Sequence, residues 1–239
     1  MKERSTEMEP SKEKRIADYV QLLQKGRTMT QRFRLPMDAE QAYEYLLAAN
    51  MAEVQFRHRR FIHTDSVEDQ LRQMADWLTA DSPKFGIVLC GGCGNGKTTM
   101  LKALQNLLNH LKIRNPNARS GFSDCYGLTV VDALHIANLC KTNHDKFLEL
   151  ARYDMLGIDD LGVEPMEVMS YGNIMNPVIE LLSKRYDAQL FTIVTTNLQP
   201  RQIRERYGER IADRLNEMMA KIVYRNTTYR TDESQIVSG

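Results

Sequence analysis

The chain has 239 residues, 42% hydrophobic and 26% charged, with 32 Lys+Arg against 31 Asp+Glu and a formal net charge of +1. That length supports one α/β core plus a smaller appendage, and so even a charge balance excludes a globally basic nucleic-acid binder; any basic surface must be local. No apolar run approaches the ~20 residues of a membrane span, and the charged opening MKERSTEMEPSKEKR is no secretory signal, so the expectation is a cytoplasmic protein with no membrane partner.

The first ten or so residues are too charged to expect fixed structure. From Ser11 to about Lys25, Ile16, Tyr19, Val20 and Leu23 recur at helical spacing, and Gly26 stops the segment. A second helix is expected from Asp38, with Tyr43, Leu46 and Leu47 on its apolar face, running towards the basic stretch Arg57-His58-Arg59-Arg60. Thr64-Asp65-Ser66 signals a third helix start, ahead of Val67, Leu71, Met74 and Leu78. After Pro83 the pattern changes. Gly86–Cys90 is a short continuous apolar run, as in a strand buried on both faces of a parallel sheet. Similar runs follow at Leu128–Val131, Met155–Ile158 and Leu190–Val194, with a weaker one at Ile222–Tyr224. Helical patterns at Thr98–Leu111, Asp132–Cys140, Tyr171–Tyr186 and Glu209–Met219 separate them, so the fold class is α/β with right-handed crossovers. A boundary near residue 62 would divide a small helical partner-binding domain (1–62) from the α/β domain (63–239).

The four cysteines, Cys90, Cys93, Cys125 and Cys140, show no repeated spacing. Cys90 and Cys93 can be read as a redox or zinc pair, but no second pair completes a metal site, and reduced cytoplasmic thiols are the better reading.

Gly91-Gly92-Cys93-Gly94-Asn95-Gly96-Lys97-Thr98 fits G-x-x-x-x-G-K-[ST], directly after a strand and before a helix. Glycines let backbone N–H groups turn inward as an anion nest, and the following helix N-terminus adds partial positive charge. Lys97 is expected to reach the β/γ-phosphates of ATP and Thr98 to ligate Mg²⁺, with Thr99 completing the cradle. A plain glycine turn leaves Lys97 unexplained. Met155–Ile158 ends in Asp159-Asp160, carboxylates delivered where ligands bind in a parallel sheet; a solvated turn is the weaker alternative. Asp159 would hold Mg²⁺ through water and Asp160 would polarise the attacking water. Phe191–Asn197 turns abruptly polar at its end, and Asn197 can reach the γ-phosphate or the lytic water, or be a loop turn. Arg210 and Arg214 share a helix face; they either pair with Glu209, Asp213 or Glu217, or serve as an arginine finger for a neighbouring subunit.

Two basic clusters suit phosphate contacts. Between Gln199 and Arg230 lie eight basic and four acidic residues, and Arg57, Arg59 and Arg60 are interleaved with Phe56 and Phe61. Aromatic residues among cations point to stacking on single-stranded DNA, with solvated helix surface as the alternative.

On these residues the chain resembles the DnaC/IstB-like branch of AAA+ ATPases, the bacterial helicase loaders and transposition helper proteins. The matching stretches, GIVLCGGCGNGKTTM, LTVVDAL, YDMLGIDDLGVEP, IVTTNL and YGERIADRL, span roughly residues 84–218. The resemblance implies an ASCE P-loop core with strand order 5-1-4-3-2, Asn197 as sensor 1 and Arg210 or Arg214 as the box VII finger. It also implies ATP-dependent homo-oligomeric assembly on DNA and an N-terminal domain that grips a client such as a replicative helicase or a transposase. Two departures stand out. Asp160 is one methylene shorter than the Glu of many AAA+ proteins, which predicts slow turnover. Only 42 residues follow Asn197, too few for a complete C-terminal lid, which leaves Arg230 as the candidate second sensor. A nucleotide-gated adaptor with little hydrolysis is the alternative function; a small-molecule phosphotransferase fits less well, since no acceptor-binding lid is evident.

Overall fold

The protein is described by a computed structural model at residues 12–25, 32–116, 118, 123–170, 172–225 and 228–229. Two compact units emerge, Met1–Gln31 and Arg32–Gly239. The expectation for the first ten residues, and the candidate Arg230, lie outside the described residues.

Among the described residues the first unit contributes one helix, α1 (Lys12–Lys25). Its apolar residues recur at i, i+3, i+4 and i+7, one stripe of a 3.6-residue period. Ile16, Tyr19, Val20 and Leu23 along that stripe are all exposed.

The second unit opens with α2 (Ala39–Phe56), capped by Asp38, whose carboxylate accepts from the Gln41 N–H at 2.8 Å. Thr64 caps α3 (Asp65–Thr79) in the same way. Then come β1 (Gly86–Gly91), α4 (Lys97–Leu111), β2 (Thr129–Asp132), α5 (Ala133–Thr142), α6 (His144–Arg152) and β3 (Met155–Leu161). A ribbon, β4 (Val168–Ser170) and β5 (Asn173–Met175), leads to α7 (Pro177–Asp187), β6 (Phe191–Thr196), α8 (Pro200–Tyr207), α9 (Glu209–Met218) and β7 (Met219–Tyr224). Among the described residues no helix follows β7.

Five parallel strands form the sheet in the order β2-β3-β6-β1-β7. Counted without the ribbon, that is 5-1-4-3-2. Helices cover both faces, which is why the strands read as continuous apolar runs. On one face Leu46 of α2, Leu71 and Met74 of α3, and Leu101 and Leu104 of α4 pack against Ile87 and Ile193. On the other, Ile136, Phe147, Leu181 and Ile211 pack against Leu156, Ile158 and Val194.

The boundary expected at residue 62 falls inside the second unit. Tyr43 and Leu46 of α2 enter the same hydrophobic cluster as α3 and α4, and buried Glu53 of α2 accepts from Asn106 of α4 at 3.1 Å, so α2 belongs to the α/β body. The helix expected over Tyr171–Tyr186 is shortened. Gly172, at φ 81°, makes the ribbon's turn, and Pro177 occupies the first position of α7, where its fixed φ suits a helix start. The short α6 and α8 carried no sequence expectation.

Candidate nucleotide-binding site

β1 delivers the glycine loop at the carboxyl edge of the sheet, and α4 starts at Lys97. Gly94 (φ 76°) and Gly96 (φ 100°) take left-handed conformations that turn N–H groups inward. The first N–H groups of α4 have no intrahelical partner and are free for an anion. The loop is pinned from below. Asn95, 1% exposed, donates to the Tyr224 carbonyl at 3.1 Å, and the Tyr229 N–H donates to the Gly94 carbonyl at 3.0 Å. The Lys97 ammonium donates to the carbonyls of Gly91 (3.0 Å) and Gly92 (2.6 Å) and to the side-chain oxygens of Asn95 (3.0 Å) and Asn197 (2.8 Å). Burial holds its pKa below the ordinary lysine value, opposed chiefly by the nearby Asp160 carboxylate.

The acidic strand end is shaped by an irregularity. The β3–β6 register shifts between Ile158 and Leu161, and Asp160 sits at φ 54°. In a regular strand, neighbours point to opposite faces. The left-handed residue breaks that alternation; Asp160 lines the cavity, while Asp159 bonds to Thr98 at the start of α4. Asp159 accepts from Thr98 Oγ1 at 3.0 Å and from Thr195 Oγ1 at 2.6 Å, while Thr195 Oγ1 accepts from the Asp160 N–H at 2.9 Å. Thr195 thus fixes both acids. The polar end of its strand was the only sequence signal for it.

A cavity of about 350 Å³ joins these parts. Cys93 to Thr99, Asp160 and Asn197 line it, and Val54, Ile62, Val67, Tyr224 and Tyr229 add apolar and aromatic surface. Arg57, Arg59 and Arg60 line the same cavity. The cluster expected on a DNA-binding surface therefore belongs to the wall of the nucleotide pocket. Arg57 donates to Thr99 Oγ1 at 3.2 Å and Arg59 to the Tyr229 carbonyl at 3.1 Å.

Behind Asp160, Glu164 is buried and accepts from the Gly162 N–H (2.8 Å) and the Tyr207 hydroxyl (2.5 Å). Arg206 adds a bond to its carbonyl and an ion pair at 3.6 Å. This ties the acidic turn to α8, just ahead of the helix that carries Arg210 and Arg214. Desolvation, with that hydrogen bond, pushes the Tyr207 phenol well up. No spacing in the sequence marked Glu164. The intrahelical pairings considered for α9 do not form. Arg214 lies over the Tyr186 ring and pairs with Asp187 of α7 at 3.1 Å, and Glu209 pairs with Arg204. Arg210 is exposed and has no partner among the described residues. Neither arginine lines the cavity of its own chain.

The four cysteines are free, and among the described residues no cluster of His, Cys, Asp and Glu could hold a metal by itself. The strand order, glycine loop and paired acids define a P-loop NTPase core of the AAA+ type. Within that class, the family of IstB-like ATP-binding proteins matches residues 3–235, and the chain belongs to it. Its fold is similar to the DnaC helicase loader, at TM-score 0.51 and 19% identity over 69% of this chain and 93% of that one. A putative primosome component from Streptococcus pyogenes serotype M3 is similar at TM-score 0.51 and 16% identity, over 71% of this chain and 85% of that one. Identities this low speak for the fold alone. No curated protein matches the chain.

Proposed function

We propose that this ATP-binding protein hydrolyses ATP, assembles as a homo-oligomer on single-stranded DNA in its ATP state, and loads or recruits a DNA-processing protein such as a replicative helicase or a transposase. The observation that carries the reading is the convergence of Lys97, Thr98, Asp159, Asp160 and Asn197 from three separate strand ends around one anion nest. Thr98 and Asp159 would hold Mg²⁺, their oxygens lying 3.0 Å apart. When bound, that ion supplies positive charge to the β- and γ-phosphate oxygens. Lys97 steadies the same phosphates, and Asn197, already bonded to Lys97, stands where it can orient water. Asp160 polarises that water. Arg210 or Arg214, off the pocket of its own chain, reaches a neighbour's γ-phosphate; exposed Arg210 can do so as it stands, whereas Arg214, 16% exposed over the Tyr186 ring and paired with Asp187, must first leave that pair. The exposed stripe of α1 suits the client. Exposed Lys221 and Arg225, at the β7 edge of the sheet, are cations available to DNA phosphates.

Phosphate release is measured with ATP and Mg²⁺, with and without single-stranded DNA. Release stimulated by DNA, lost in Arg210→Ala or Arg214→Ala and partly restored by mixing that variant with Lys97→Ala, is the expected result. No phosphate release, with DNA and client still captured only in ATP, would replace the ATPase by a nucleotide-gated adaptor, a reading favoured by the short side chain of Asp160. Insensitivity of every step to ATP would sink both.

A further inference from the structure

Arg57 follows the last residue of α2, and its two terminal nitrogens have different partners. Nη2 pairs at 2.8 Å with Glu53, one helical turn back, and Nη1 donates to Thr99 Oγ1 at 3.2 Å across the cavity wall. Glu53 is itself 6% exposed, and its other oxygen accepts from Asn106 of α4 at 3.1 Å. A buried carboxylate with both oxygens engaged is a rigid anchor, so the guanidinium is held beside the first turn of α4 before any ligand arrives. Lys97 and Thr98 are the residues that take the outer phosphates. Thr99 is one step further along the helix start, and the rest of the wall, Val54, Ile62, Val67, Tyr224 and Tyr229, is suited to a base. Arg57 lines the same cavity and is bonded to that first turn of α4.

We propose that Arg57 is a ligand of the α-phosphate, a cation supplied to the nucleotide from the N-terminal side of the loop and oriented by Glu53. Among the described residues no lid helix follows β7 to supply one from the other side. The proposal rests on the ATP-binding reading and deepens it. It also removes Arg57 from the DNA contacts that its neighbours in sequence suggest.

The full chain is titrated with ADP, with ATP, and with the two α-thio diastereomers of ADP, all with Mg²⁺. Arg57→Ala is expected to bind ADP and ATP about tenfold to a hundredfold more weakly, the size of a charge-assisted hydrogen bond, with their affinity ratio unchanged. Arg57→Lys keeps the charge but not the planar fork, so it should recover part of the affinity and alter the preference between the diastereomers. That preference reads a contact at the α-phosphate, which a purely structural role would leave alone. A folded Arg57→Ala protein with wild-type ADP affinity overturns the proposal. So does a loss confined to ATP, which would put the contact at the γ-phosphate, or a loss of single-stranded DNA binding with nucleotide binding intact. Should Arg57→Ala fail to fold, an unchanged diastereomer preference in Arg57→Lys overturns it. A wild-type chain that binds neither nucleotide overturns the ATP-binding reading as well.

Discussion

Two buried cations stand at opposite ends of the parallel sheet, and their partners separate structure from function. Arg185, in the last turn of α7, is fully buried and lies where β3 and β6 begin. Its Nε donates to Thr192 Oγ1 at 2.9 Å, Nη2 to the Phe191 carbonyl at 2.5 Å, and Nη1 to the carbonyls of Leu150, Ala151 and Tyr153 at 3.2, 3.4 and 2.8 Å. Three of those carbonyls close the C-terminal end of α6, where the helix dipole favours a cation. Burial lowers its pKa to about 9, which still leaves it charged at neutral pH. Lys97, at the carboxyl end of β1, is nearly as buried, yet its four acceptors are two loop carbonyls and two amide side chains that also line an open cavity. Arg185 is matched by fixed frame carbonyls and has no room for a ligand. Lys97 is matched by groups around a space that a phosphate can enter.

The comparison breaks first at Arg185. Arg185→Ala takes a donor from five acceptors, four of them in buried contacts, and should cost about 3–5 kcal/mol of stability, read by denaturant unfolding. A loss below about 1 kcal/mol would show that water replaces the guanidinium and that the frame does not need it. Next in size is Lys97→Met. ATP affinity should fall by about a hundredfold or more in calorimetry, because the charge in the phosphate nest is gone. Its stability should hold or rise, since burial already disfavours that ammonium and the cavity lets water reach the freed acceptors. A drop comparable to that of Arg185→Ala would make Lys97 a structural residue and end the contrast.

The smallest effect is in pH. The Lys97 pKa is lowered in the folded chain, so between that value and 10.5 the unfolded chain binds the extra proton. Stability contributed by this group therefore increases as pH rises through that window. Bound phosphates favour the charged form, so nucleotide binding on the alkaline side must take up a proton and weaken with rising pH, beginning below 10.5. Calorimetry in buffers of different ionisation enthalpy measures the uptake. Its absence in wild type, or its persistence in Lys97→Met, would assign the linkage to another group.

The nucleotide loop was readable because its chemistry is local. Glycines that permit positive φ, a lysine and a hydroxyl at fixed offsets lie within eight consecutive residues between an apolar run and a helical period. The acids were readable for a related reason, since a strand must bring its C-terminal residues to the ligand edge. Helix starts at Asp38 and Thr64 were equally local, each set by one side chain bonding an N–H three residues on. The ribbon at 168–175 was not, because Ile174, Val178 and Leu181, at i, i+4 and i+7, extend the helical period of α7 back into it, and only Gly172 and Pro177 argue against a helix.

What the sequence determined by itself was the class of core, the order of its parts and the residues that converge on the glycine loop. Tertiary structure decided what each ambiguous cation and hydroxyl does. Arg57, Arg59 and Arg60 read as a DNA-facing cluster until Thr99, 42 residues away, and Tyr229, 170 residues away, place two of them on the nucleotide pocket. Thr195 acquires its task from Asp159, Glu164 from Tyr207, and Arg185 from the end of α6. A motif is fixed by backbone conformations that neighbouring residues impose. The role of a lone arginine, threonine or glutamate depends on which distant group lies within about 3 Å of it, and only the packing of helices on the sheet sets that distance.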